Sequence, residues 1–269
     1  MTEKLTLSKK RLFVSILLMV SVLFAASYFV YGEVSQRMNR GQLLNQKIAN
    51  MINDPNSGVV ASLNDFEFSK DYIDHQRAIF EPMYDRSYSD SEIFLFLLEH
   101  QVLFNMAIDA GFVVTEEDID FVLNASRDAL RIMREDIAKN EVDEQSMHVY
   151  TMFTDYLKSL NMTDDEYYVY IRDFSEKQIY VNMMKHQLRE EYAMENGLEN
   201  QYIFDAGGEM EMFLSGYNAY VDNAVKNEMK RSNLTIYDAQ LASSYELTNW
   251  VSDAGISVTH DFSGADGIR

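Results

Sequence analysis

Cysteine is absent from the 269-residue chain, which excludes disulfides, thiol nucleophiles and thiolate metal sites. Proline is scarce, with only Pro55 and Pro82, so long helices can run without interruption. Also missing are a Gly-rich phosphate loop, a Gly-x-Ser-x-Gly elbow, a His-Glu-x-x-His pair and a calcium loop with its central glycine. Basic residues are few: Lys4, Lys9, Lys10 and Arg11 accompany one acid, Glu3, in residues 1–31, leaving 19 basic and 42 acidic residues elsewhere, a formal −23. Such a surface repels phosphate, which excludes nucleic acid as a partner and disfavours adhesion to anionic lipid.

What is present is apolar and aromatic material, 47% and 13% of the chain, ample for a core of one or two domains. Residues 12–31 are twenty positions without a charge, preceded by Lys9-Lys10-Arg11. Twenty such residues span a bilayer, and the positive-inside rule keeps residues 1–11 in the cytoplasm and the rest of the chain outside. A cleaved signal peptide is the alternative, since Ala25-Ala26-Ser27 suits a signal peptidase. The apolar run continues past that point through Phe29, Val30 and Tyr31, which favours an uncleaved anchor. Residues 32–57 read as a polar stalk, helical where Leu43, Leu44, Ile48 and Ile52 recur.

Beyond the stalk, 59–63 and 66–68 form a hairpin around Asn64-Asp65, and Ser69 caps a helix through Tyr72, Ile73, Gln76 and Phe80 that Pro82 ends. Residues 91–110 are apolar on nearly every face, with a Ser89/Glu92 capping box before them and Gly111 after. Thr115 and Asp118 cap the next helix, whose inner face holds Ile119, Val122, Leu123, Leu130, Met133 and Ile137. A helix over 147–160 follows. Thr163 and Glu166 then open a long one running to Glu195 and closed by Gly197, and another begins near Glu209. Residues 234–237 form a last strand against the hairpin, and 238–269 are an acidic tail whose Trp250 docks on the body or stays mobile.

The apolar helix, the joint Ala110-Gly111-Phe112-Val113-Val114-Thr115-Glu116-Glu117-Asp118-Ile119-Asp120, and the later Leu160-Asn161-Met162-Thr163-Asp164-Asp165-Glu166-Tyr167 together resemble the N-terminal chaperone domain of the SurA/PrsA group of bacterial secretion chaperones. The resemblance covers 59–237, with Asp65 where that family usually has a turn glycine. It implies a mainly α fold: a multi-helix SurA/PrsA-like (trigger-factor/SurA peptide-binding-like) domain over 58–237 with a small hairpin, added to the N-terminal transmembrane helix. It also implies a single-pass protein of the bacterial cell membrane, with an extracytoplasmic domain that binds unfolded or secreted polypeptides. Two departures stand out. No cysteine is available for the lipid anchor of many PrsA-like proteins, and 198–208 are too short for the parvulin-type isomerase domain that typically follows, on the order of 100 residues. Prolyl isomerase activity is therefore not expected, nor enzymatic activity of another kind.

No residues are singled out as catalytic, cofactor-binding or metal-binding. His75, His100, His148, His186 and His260 lack a second histidine at ligand spacing, and the acid runs 116–118 and 164–166 sit where a helix dipole favours them. The load of 16 Met and 17 Tyr is the feature with functional content, because flexible thioethers and amphipathic rings suit variable peptide partners. Most of these residues fill a core on burial frequencies alone. The candidate peptide-binding set is Met152, Phe153, Tyr156, Tyr168, Tyr170, Met183, Met184, Met212 and Tyr220. Expected partners are thus polypeptides and the membrane, with homo-oligomerisation left open and no cofactor. The rival reading is a helical scaffold or regulatory subunit of one membrane or secretion complex.

Overall fold

A computed structural model describes residues 43–48, 58–84, 86–198 and 208–262. The basic segment 1–11, the anchor 12–31 and most of the stalk lie outside the described residues. The chain is mainly helical with one small sheet. After strands β1 (Val59–Leu63) and β2 (Phe66–Ser69) come helices α1 (Lys70–Tyr84), α2 (Asp90–Asp109), α3 (Glu116–Ala138), α4 (Glu144–Ser159), α5 (Asp164–Tyr170), α6 (Arg172–Glu195) and α7 (Gly208–Met229). Strand β3 (Leu234–Ile236), the short helices α8 (Ala239–Ala242) and α9 (Tyr245–Ala254), and β4 (Val258–His260) complete it.

Local chemistry sets most of the boundaries. Ser89, Thr115 and Thr163 each accept from the backbone N–H three residues on, and Glu92, Asp118 and Glu166 reach back to the cap N–H groups, so all three are full capping boxes. Gly111, at φ +83°, ends α2: its N–H donates to the Ile108 carbonyl and that of Phe112 to Ala107, both at 3.0 Å. This pair of bonds closes the last turn and demands a left-handed residue. In the hairpin, Asn64 takes that conformation at φ +51°, which explains how the turn forms without glycine. The same residue ties the hairpin to β3: its N–H donates to the Asn233 carbonyl and its Oδ1 accepts from the Asn233 N–H, each at 2.9 Å.

Strand order is β2-β1-β3-β4, with β1 antiparallel to both neighbours and β3 parallel to β4. The axis of the fold is α2, packed against α6, α1, α7 and α9. Its apolar circumference follows from that position: Ile93, Phe94, Leu98, Val102, Leu103, Phe104 and Ala107 are all at most 1% exposed. Burial of each large side chain contributes roughly 1.5–3 kcal/mol. Among the described residues α2 is the one helix long and apolar enough to cross a membrane, and it is mostly buried inside the body. On α3, the expected face is buried at Ile119 and Leu123 and becomes shallower beyond them.

Several expectations need correction. The stalk is not merely a spacer, because Leu44 and Ile48 on the helical segment 43–48 are fully buried in the core. Pro82 does not end α1, which continues to Tyr84. The long helix from Thr163 is two helices broken at Ile171, with neither proline nor glycine at the break. The body does not stop at Tyr237. Leu241, Leu247, Ala254 and Ile256 join the core, Trp250 packs beside it, and β4 adds a fourth strand, so 238–262 belong to the fold.

Gly216 on α7 marks a close approach of α6. A Cβ built there lies 2.8 Å from Cζ of Tyr192 and overlaps its hydroxyl. In an isolated helix Gly→Ala stabilises by about 1 kcal/mol. Here Gly216→Ala should destabilise by about 1–3 kcal/mol through overpacking, and thermal denaturation in a Tyr192→Leu background should show the sign reversed.

Candidate functional site

Where α1, α4, α5 and α6 meet over α2, a cleft of about 320 Å³ is walled by rings. From α1 come Tyr72, His75, Gln76, Ile79 and Phe80, the i, i+3, i+4, i+7, i+8 set of one helical face. α2 contributes Phe96, Leu97 and His100, and Tyr156 reaches in from α4. Tyr167 and Tyr170 precede the Ile171 break and Phe174, Lys177, Gln178 and Val181 follow it, so one stripe continues across both helices. His75 stacks on Phe174 with centroids 6.0 Å apart and planes 20° apart, and it lies 6.1 Å from Tyr170 and 6.4 Å from Tyr156. Tyr156 meets Tyr167 edge-on at 6.1 Å, and Phe80 meets Phe96 at 4.5 Å. Such pairings are the favoured ring geometries and fix the walls.

The lining contains no carboxylate, in a chain of net charge −20. Acids beside the lining positions are engaged elsewhere: Asp74, next to His75, pairs with Lys70 at 3.0 Å and with Arg77, and Asp173, next to Phe174, pairs with Lys47 at 3.3 Å. Glu176 is buried but is not a cleft residue. Burial pushes the Tyr156 and Tyr170 hydroxyls upward and that of Tyr167 up to about 12, so all three remain un-ionised.

Three basic side chains, His75, His100 and Lys177, line the same cleft. His100 donates its Nδ1–H to the Phe96 carbonyl at 3.0 Å, which leaves Nε2 as the acceptor of the neutral ring. Burial, then the charges of Lys185 and Lys177, push its pKa down to about 3. Burial also lowers His75. Lys177 is 6% exposed; its Nζ donates to Gln101 Oε1 at 2.5 Å and lies 4.4 and 5.4 Å from the ring centroids of Phe66 and Phe104. Gln101 gives its own Nε2 to Asn105 Oδ1 at 2.9 Å, which turns its carbonyl oxygen toward the amine. Desolvation pulls Lys177 down to about 7. Gln101, Phe66 and Phe104 also line a second, more polar cavity of about 520 Å³, so Lys177 stands in the wall between the two.

The cleft gathers only part of the sequence-derived set. Tyr156 and Tyr170 line it, and Phe153 stands behind, edge-on to Tyr167 at 5.3 Å. Met152 is half-buried on α4. Tyr168 turns the other way and is buried under Arg127, whose guanidinium lies 4.7 Å from the ring centroid. Met183 and Met184 belong to the hydrophobic core. Tyr220 packs on Tyr192 at 5.6 Å and donates to Glu195, away from the cleft. The side chain of Met212 lies outside the described residues. His75, Phe80, Phe96, His100, Phe174 and Lys177 were missing from the set. The stripe on α1 was a usable signal for the first two, and a lysine inside the apolar stripe of α6 was the signal for the last.

Among the described residues no group of three or more histidine or carboxylate side chains could hold a metal ion. No protein-family model matches the chain, and neither a curated protein nor a solved structure matches it.

Proposed function

We propose that the chain is a chaperone-like protein that binds unfolded or secreted polypeptides non-covalently, without prolyl isomerase chemistry, in a SurA/PrsA-like helical domain. Residues 12–31 would hold it in the bacterial cell membrane with the domain outside. The aromatic, acid-free cleft carries this reading. Half-buried tyrosines offer both apolar area and a hydroxyl, which tolerates varied partners. The acidic exterior would keep loaded complexes soluble and favour basic clients.

The test uses the full chain in lipid nanodiscs with several unrelated denaturing proteins, followed by light scattering at rising molar ratio. Suppression across clients is expected, weakened on the order of tenfold, about 1.4 kcal/mol, by combined Tyr170→Asn and Phe174→Asn and left intact by Tyr220→Phe. Absence of suppression at molar excess would defeat the reading. A scaffold for one membrane complex is the second reading, favoured by Phe121 and Ile132, which are 52% and 45% exposed and three turns apart on one side of α3. Cross-linking from Phe121 to a single membrane protein, with no aggregation suppressed, would select it.

A further inference from the structure

Nε2 of His100 is an acceptor without a donor. The Phe96 carbonyl can only accept, so its bond at 3.0 Å fixes the ring proton on Nδ1 and leaves the lone pair on Nε2. Among the described residues Nε2 has no hydrogen-bond partner, and it is not one of the side-chain polar atoms that are buried there without one, which are Asn45 Oδ1, Asn182 Nδ2 and Ser244 Oγ. It therefore meets open space. Nδ1 holds one edge of the ring against the backbone of α2, so Nε2 lies on the far edge, in the cleft that this ring lines.

Charge, size and this lone pair together restrict the occupant. A cation is unsuited, because the lining has no carboxylate and the charges of Lys185 and Lys177 already oppose a positive charge at His100. An anion is no better matched: Lys177 turns its amine onto Gln101 Oε1 and the faces of Phe66 and Phe104, and none of those three residues lines this cleft. What remains is a neutral group. At about 320 Å³ the cleft sits at the small end of small-molecule sites, roughly 300–1,000 Å³, so it takes one large side chain and not an extended segment. Rings of two groups face it, His75 with Tyr156, Tyr170 and Phe174, and Phe80 with Phe96 and His100, and their faces and edges favour a flat aromatic guest. Among neutral aromatic side chains tryptophan has a donor and no acceptor, which matches an open lone pair. Phenylalanine would shut Nε2 away from water with nothing to replace it, a loss of about tenfold in affinity.

Resting on the polypeptide-binding reading, we propose that the cleft receives one tryptophan side chain of a client, its indole among the rings and its N–H donated to His100 Nε2. The rings supply the affinity, and His100 is the specificity-determining residue that ranks tryptophan above phenylalanine. Folded proteins bury most of their tryptophan surface. A client is therefore held while its indole is exposed and let go once folding covers it.

The experiment uses the full chain in lipid nanodiscs and fluorescence anisotropy of labelled pentapeptides, acetylated and amidated at their ends, whose central residue is tryptophan, 3-benzothienylalanine, phenylalanine or alanine. Benzothienylalanine keeps the two fused rings and has sulfur in place of the N–H. The tryptophan peptide should bind about tenfold more tightly than the benzothienyl peptide, and His100→Leu should abolish the difference by weakening the tryptophan peptide alone. The comparison of those two peptides on the unaltered protein needs no variant, so it holds even if a substitution disturbs the fold. Equal binding of the two, both tighter than the alanine peptide, would overturn the tryptophan proposal and leave the cleft as a polypeptide site. If 3-methylindole bound and the tryptophan peptide did not, the site would belong to a free heterocycle and the proposal would fall. If all four peptides bound alike, or none bound, the cleft reading itself would fall with it.

Discussion

Replacing Lys177 with methionine should make the protein more stable at pH 6.5, by on the order of 2 kcal/mol, and slightly less stable above pH 10.5. The folded state holds this amine at a pKa of about 7, against an ordinary lysine value of 10.5, because burial disfavours the ammonium. Each unit is about 1.4 kcal/mol, so the burial penalty reaches several kcal/mol as an upper bound. The sign follows from proton counts. Below about pH 7 both states carry the proton and the folded state bears the whole penalty. Between about 7 and 10.5 the unfolded chain keeps a proton the folded chain has shed, and stability rises with pH. Methionine has a similar reach and a flexible thioether that fills irregular gaps, but it leaves Gln101 Oε1 without its donor, a loss of about 1–3 kcal/mol. The net gain at pH 6.5 corresponds to about 4–8 °C in thermal midpoint for a chain of this size. Above pH 10.5 the amine is neutral in both states and only the lost hydrogen bond remains, so the two stability-against-pH curves should cross. Melting both proteins from pH 6.5 to 11 checks this; a variant less stable at every pH would show that the two ring faces and the amide already compensate the charge in full.

A residue that weakens the fold and lines the cleft explains why function was harder to read from the sequence than fold. The capping boxes at Ser89, Thr115 and Thr163 and the Gly111 turn were legible because each is a contact within four or five residues, and the sequence spacing is the geometry. The hairpin and its pairing with 234–236 were legible for a related reason: short β-rich runs around an Asn turn allow few alternatives. The helix at 43–48 was legible in the recurrence of Leu43, Leu44 and Ile48, but its burial in the core was not, and the helices of 238–262 were missed because elements this short show too little periodicity to reveal a buried face. The break at Ile171 carries no breaker residue and depends on how α5 and α6 each pack. In the site, residue type pointed to Tyr156 and Tyr170, but composition carries no direction. Tyr168, about 100° around the helix from Tyr167, faces Arg127 and Ser126 instead, and Met183 and Met184 went where flexible apolar side chains usually go, into the core.

Acid should unfold this protein through its cleft before its carboxylates are titrated. The neutral His100 ring is held in the folded state down to a pKa of about 3, whereas an unfolded histidine protonates near 6.5. From 6.5 down to about 3 the unfolded state therefore binds a proton that the folded state refuses, and stability falls with pH, by up to roughly 5 kcal/mol over the whole window from this one group. His75 is lowered too, by burial, and adds to the loss in the same direction. Carboxylates contribute later. Glu92 and Glu166 are held below their ordinary value of 4.5 by the cap N–H groups of Ser89 and Thr163, so the stability they supply is present above 4.5 and is lost only beneath it. Between pH 6.5 and 4.5 the decline thus belongs to the histidines. In His100→Leu the titrating group is gone, and because among the described residues the ring's hydrogen bond is to the Phe96 carbonyl one turn earlier, no distant partner is orphaned. Urea denaturation at half-unit steps from pH 7 to 4.5 should give a steep loss for the natural protein and a much flatter one for the variant, with the curves separating by about 2–3 kcal/mol at pH 4.5. Parallel curves would mean that the ring meets water and takes its proton without cost. A difference would place the first acid-sensitive contact between α1, α2 and α6, because His75 and His100 stand on walls those helices share, and would predict that the cleft opens at a higher pH than that at which helical structure is lost.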